Sequence, residues 1–158
     1  MRHGDGIIGM VNSQASAEAL IADLRSHGGI TVRTNLDPLK TIWTDRPPIP
    51  QDLVSVHPLE YAGEDVKSKV SRIRKALRDL HADGMLMSAL DDIAWTLNMR
   101  GTDVHCNPVF VSYLLISSNS VTLYINKVKL SHVVMAYLQD NGVSIDDYEN
   151  VDLSLIKN

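Results

Sequence analysis

The stretch SALDDIAWTLNMRGTDVHCNPVFVSYLLIS, Ser88 to Ser117, decides the fold, because three different patterns follow one another within it. Leu90, Ile93, Ala94 and Leu97 recur at helical spacing behind Ser88, a residue type that caps helix starts. Asp91 and Asp92 then fall on the first turn, where unpaired backbone amides favour carboxylates. The polar run NMRGTDVHCN interrupts the helix, and VFVSYLLIS follows as a strand whose near-continuous apolar character suits burial. A helix feeding a buried strand is the grammar of an α/β sheet.

Working outward, the polar turn SNS separates VFVSYLLIS from VTLYIN, the spacing of an antiparallel hairpin. Upstream, EDVKSKVSRIRKALRDLHADG reads as a helix in which Val66, Val70, Ile73, Leu77 and Leu80 step by four, three, four and three residues. Gly84 is expected to end it, and MLMS to form a short strand. Downstream, Ser131 opens a helix with Val133, Val134, Tyr137 and Leu138 inward and Gly142 at its end, and VSI is a last strand. The order from residue 52 is thus α-β-α-β-β-α-β, which predicts a mixed β-sheet flanked by helices.

The first residues give a β-α-β unit: IIGM, a helix after Ser13 with Ala17, Leu20, Ile21 and Leu24 on one face, and ITVRT beyond Gly28 and Gly29. Five of the six prolines then lie between Asp37 and Gly63, enforcing extended backbone. This marks a boundary, with one domain over residues 1–37 and a second over 38–158. GDGIIG precedes a strand where a phosphate-cradling loop would follow one, so its glycines serve a turn.

A formal charge of −4 without blocks of one sign leaves no footprint for nucleic acid or an anionic membrane. A lone cysteine, Cys106, allows no internal disulfide and fits a reducing compartment, so the cytoplasm is the expected location. Asp103, His105 and Cys106 are candidate metal ligands, yet they make half a site at most, since no second paired motif exists. Adjacent His105 and Cys106 are poorly placed to act as base and nucleophile. Arg100 can either close the helix end or offer a planar fork to a carboxylate. Trp43 and Trp95 set large apolar surfaces beside polar segments, and core packing is the commoner role for such residues.

The segments IWTDRPPIP, SALDDIAWTLNMRGTDVHCNPVFVSYLLI and VTLYIN, in this order and spacing, resemble the middle domain of three-domain Xaa-Pro aminopeptidases, in the creatinase and prolidase superfamily. DGIIGMVNSQASAEALIADLRSHGGITV resembles the end of that family's first domain. Trp95, Asn98, Arg100, Gly101, Asp103, Asn107, Pro108 and Tyr113 fall at pattern positions, and Met99 replaces the more usual leucine. The resemblance implies a creatinase N-terminal-like α/β fold and a parent hydrolase that removes the first residue of peptides with proline second. It also implies two divalent ions of manganese type, held by a carboxy-terminal pita-bread domain that this sequence lacks. No catalytic residue and no metal ligand carries over. What does carry over is a loop that walls the substrate cleft or lies between domains, comprising Trp95, Asn98, Arg100, Gly101, Asp103, His105, Asn107 and Pro108. The partners implied are the parent's catalytic domain, Xaa-Pro peptides and a second copy of the chain. The start at MRHGDG, inside a βα unit, reads as a piece of a longer chain. A stand-alone interaction or small-ligand module is the alternative, and a small metalloenzyme centred on Asp103, His105 and Cys106 a third.

Overall fold

The computed structural model describes residues 14–26 and 42–151. The chain divides into two compact units, residues 1–48 and 49–158. In the first unit, helix α1, Gln14–Ser26, forms where the apolar spacing predicts one. Leu20 is exposed on it and Ile21 half-buried. The expected strands IIGM and ITVRT and the glycine-containing start lie outside the described residues.

The second unit contains β1 (Ser55–Val56), α2 (Leu59–Ala62), α3 (Val66–Asp79), β2 (Gly84–Met87) and α4 (Leu90–Leu97). β3 (Met99–Arg100), β4 (Tyr113–Ser117), β5 (Val121–Tyr124), α5 (His132–Asp140) and β6 (Ser144–Asp146) follow. Four strands form one sheet in the order β2-β4-β5-β6. β4 runs antiparallel to β2 and to β5, pairing Leu86 with Leu115 and Leu114 with Leu123. β6 runs parallel to β5, which requires the crossover that α5 supplies. The fold is therefore a mixed sheet with flanking helices, in the order read from the sequence. β1 and β3 add a two-stranded ribbon, with Ser55 opposite Arg100 and Val56 opposite Met99.

One core is built from alternating strand residues and helix stripes. Leu114, Ile116 and Leu123 from the sheet meet Ile93 and Leu97 of α4, Val66 and Val70 of α3, and Val134 and Leu138 of α5. Phe110 and Met99, both fully buried, plug the end from which the polar loop departs. Deep burial of this kind contributes about 1.5–3 kcal/mol per large apolar side chain.

Several local expectations change. Ser88 does not cap α4: the N-cap is Ala89, without a side-chain hydrogen bond, and the helix start relies on Asp91 and Asp92 in its first turn. Ser131 does cap α5, accepting from Val134 N at 3.3 Å, and Gly142 follows that helix at φ 71°. Gly84 belongs to β2 and does not end α3. The chain leaves α3 through Leu80, 76% exposed, and turns at His81, whose φ is 53°. Gly84 itself sits against β4, where a Cβ would meet Ile116 O at 3.0 Å. Val133 points to solvent and Met135 packs on the core in its place. VFVSYLLIS is a strand only from Tyr113 onward, because Val109 to Ser112 serve the loop described next.

Candidate functional site

The loop between α4 and β4 is a buried frame with an exposed tip. It begins at Asn98, which ends α4 in the left-handed conformation at φ 49° and ψ 49°. Asparagine tolerates this geometry better than most residues. Its side chain, almost fully buried, accepts from Lys69 Nζ at 2.6 Å and donates from Nδ2 to Glu64 O at 2.8 Å. Its backbone oxygen accepts from His57 N at 2.7 Å. One residue thus ties α4 to the start of α3 and to the end of β1.

Lys69 is 1% exposed. Its ammonium donates to Trp95 O at 2.7 Å and lies 4.3 Å from the centre of the Trp95 indole. Arg72 approaches the same ring at 5.6 Å while its guanidinium pairs with Glu64. The core role expected of Trp95 is corrected: 45% exposed, it works as a lid over two cations. Trp43, in the first unit, is likewise outside the core and stacks with Arg46 at 5.6 Å.

Burial holds the Lys69 pKa below its ordinary value of 10.5, against the pull of Glu64 in the other direction. As the pH climbs toward 10.5, the unfolded chain therefore binds more protons at this position than the fold does. The fold should gain stability from Lys69 over that interval. Lys69→Met should remove the gain, which urea midpoints for both proteins at about pH 8 and about pH 10 would read.

Arg100 reaches the helix end, its Nη1 donating to Ala94 O at 3.1 Å and Met99 O at 2.8 Å. Gly101 is required by close approach: a Cβ there would lie 2.7 Å from Phe110 Cβ and 2.9 Å from Val109 O. Asp103 then turns inward. Its Oδ2 accepts from Val111 N at 2.6 Å and forms an ion pair with Lys129, both side chains being essentially without solvent exposure. Lys129 Nζ also donates to Pro50 O at 3.3 Å. Val104 bridges to Asn107 across a tight turn in which Cys106 takes φ 61°.

The predicted loop residues therefore separate. Asn98, Gly101 and Asp103 build the frame, Arg100 closes the helix, and His105, Cys106, Asn107 and Pro108 form the exposed tip. Asp103 is consumed by Lys129 on the inside while His105 and Cys106 face out. The structure does not bring the three together as a ligand set, and no cluster of three His, Cys, Asp or Glu able to hold a metal occurs among the described residues.

Sequence reasoning missed both lysines. Lys69 was detectable: it stands three residues after Val66 and one before Val70, inside the apolar stripe of α3. Lys129 had no such signal, because it sits in a 3-10 turn, Lys127–Lys129, too short for a periodicity.

The profile of the Creatinase/Prolidase N-terminal domain family matches residues 45–158. The chain belongs to this family. Among curated relatives of this creatinase/prolidase N-terminal domain is a protein of Botryotinia fuckeliana named Probable Xaa-Pro aminopeptidase P. It is 39% identical over 150 residues, covering 92% of this chain and 23% of the relative. A protein of the same name from Aspergillus niger is 40% identical over 138 residues, 87% of this chain and 22% of the relative. An X-prolyl aminopeptidase from Caenorhabditis elegans, described as a cytosolic enzyme with a di-nuclear active site, superposes with a TM-score of 0.77 at 28% identity. The match spans 89% of this chain and 23% of that one. The creatinase/prolidase domain chain thus spans about a quarter of the length of the relatives it matches. Among the described residues the donor set does not fit a two-metal centre, since no three His, Cys, Asp or Glu side chains converge and the buried Asp103 carboxylate carries an ammonium partner. No helix among the described residues is long and apolar enough to cross a membrane.

Proposed function

We propose that this chain is the middle domain, with the end of the first domain, of a cytoplasmic Xaa-Pro aminopeptidase, a metallopeptidase that removes the first residue of peptides with proline second. In this reading residues 38–158 do no chemistry. They hold the Asn98-to-Pro108 loop as a rigid wall beside a cleft completed by the parent's catalytic domain, where two divalent ions of manganese type are bound. The observation that carries it is the construction of the loop: a buried Asp103–Lys129 pair and the Asn98 junction fix its frame, while the His105-to-Pro108 tip is left on the surface. A fixed frame with an exposed polar tip suits steric limitation of a cleft.

The purified chain, shown to be folded by circular dichroism, should release no amino acid from an Arg-Pro-Pro peptide with added manganese. Metal-dependent turnover by the folded chain would place a catalytic site within these residues and overturn the accessory role.

A further inference from the structure

α3 gathers six of the chain's 15 lysines and arginines into 14 residues, and the helix sorts them by face. Lys69 is buried and bound to Trp95 O and Asn98, and Arg72 is paired with Glu64 on the flank that carries Trp95. Lys67, Ser71, Arg74, Lys75 and Arg78 fall instead at i, i+4, i+7, i+8 and i+11, one stripe beside the buried one. No carboxylate and no apolar residue interrupts it. Arg74 donates to Ser117 O at 2.8 Å and Ser120 O at 3.1 Å, which sets the polar turn between β4 and β5 alongside. Along the chain the stripe is broken by Ser68, Val70 and Ile73, so it forms no basic block in the sequence and is continuous only on the helix.

Two departures from ordinary helix chemistry mark the stripe. Lys67 stands in the first turn, where unpaired amides disfavour a cation, and Arg74 and Arg78 are like charges one turn apart. Partners elsewhere do not compensate. Among the described residues of the second unit every other lysine and arginine makes a side-chain hydrogen bond or ion pair, whereas Lys67, Lys75 and Arg78 make none. All three are exposed. The whole chain has a formal charge of −4, so a surplus of cations on one helix face does not follow from its composition. Local costs without a structural return are what a binding surface leaves in the free protein.

We infer that the stripe from Lys67 to Arg78 docks an extended acidic segment, rich in aspartate and glutamate, of a separate polypeptide. The stripe is about 16 Å long, a length that an extended chain spans in about five residues. Side chains of an extended chain alternate, so an acidic run turns about three carboxylates toward the helix, one for each unpartnered cation. A single-stranded nucleic acid is held by aromatic stacking, and an anionic membrane by cations joined to an apolar side chain that inserts; the stripe presents neither aromatic nor apolar groups. This docking role is independent of the aminopeptidase reading.

The test is fluorescence anisotropy of a fluorescein-labelled hexaglutamate peptide titrated with the 158-residue chain at low and physiological salt. The wild type should bind, and more weakly as salt rises. Lys67→Ala combined with Lys75→Ala and Arg78→Ala should weaken binding by about tenfold, the sum of three exposed charge pairs. Arg78→Ala alone should weaken it more than Lys127→Ala, which removes the same charge from an exposed ion pair with Asp147. The triple variant should melt no lower than the wild type, because it relieves repulsion and removes no bond. No wild-type binding, or binding that the triple variant retains, would overturn the docking role. Equal losses in Arg78→Ala and Lys127→Ala would do the same, since net charge and not the stripe would then govern. A lower melting temperature in the triple variant would give the stripe to the fold and overturn it as well. So would binding to phosphatidylserine vesicles or to single-stranded RNA that depends on the stripe while hexaglutamate fails to bind.

Discussion

Asp103→Ala should lower the unfolding free energy by about 3–5 kcal/mol, the cost of leaving a buried ammonium without its partner. Lys129 is 1% exposed and has Pro50 O as its remaining acceptor, at 3.3 Å, so it cannot recover the lost interaction from water without opening the core. Val111 N loses its acceptor in the same step. The pair itself need not be worth that much. Taking two charges out of water offsets much of their attraction, and apolar replacements of similar volume can match a buried pair in stability. Asp103→Leu combined with Lys129→Met should therefore be much less damaging than Asp103→Ala alone, by about 2 kcal/mol or more. Urea unfolding of the three proteins reads the difference. A single variant within about 1 kcal/mol of wild type would mean that Lys129 reaches solvent, and the rigid-frame account of the loop would fail with it.

This pair also shows where reading the sequence stops. Strand order, the hairpin at Ser118 to Ser120 and the helices were legible because each rests on a local periodicity, and periodicity is what burial on one face writes into a sequence. Asp103 and Lys129 are separated by 26 residues and joined only by the packing of the loop on the 3-10 turn. No local pattern encodes that. The errors have the same origin. Ser88 has the chemistry of a cap but not the backbone position, and Val133 has the apolarity of a core residue on the wrong face of α5. The exposed tip is legible in the opposite sense: His105 and Cys106 looked like chemistry from their types, and only the inward turn of Asp103 shows that they stand apart.

Asn98 is the position where backbone and side-chain demands coincide, and substitutions there should separate them. Asn98→Ala should cost about 3 kcal/mol. Roughly half of it comes from forcing a Cβ residue into the left-handed region and the rest from removing the acceptor of a charged hydrogen bond to Lys69. Asn98→Gly keeps the backbone geometry freely and loses only the amide, so it should cost about half as much. If glycine and alanine proved equally damaging, the Lys69 hydrogen bond would carry the junction and the helix-ending geometry would be incidental. If glycine matched wild type, the reverse would hold and the buried ammonium would be satisfied by Trp95 O and the indole face alone. The ordering matters beyond stability, because His57 N binds Asn98 O and β1 pairs with β3 immediately after it. A loosened Asn98 would let the ribbon and the loop that leaves it shift together, so hydrogen exchange at Met99 and Arg100 should rise in parallel with the loss of stability.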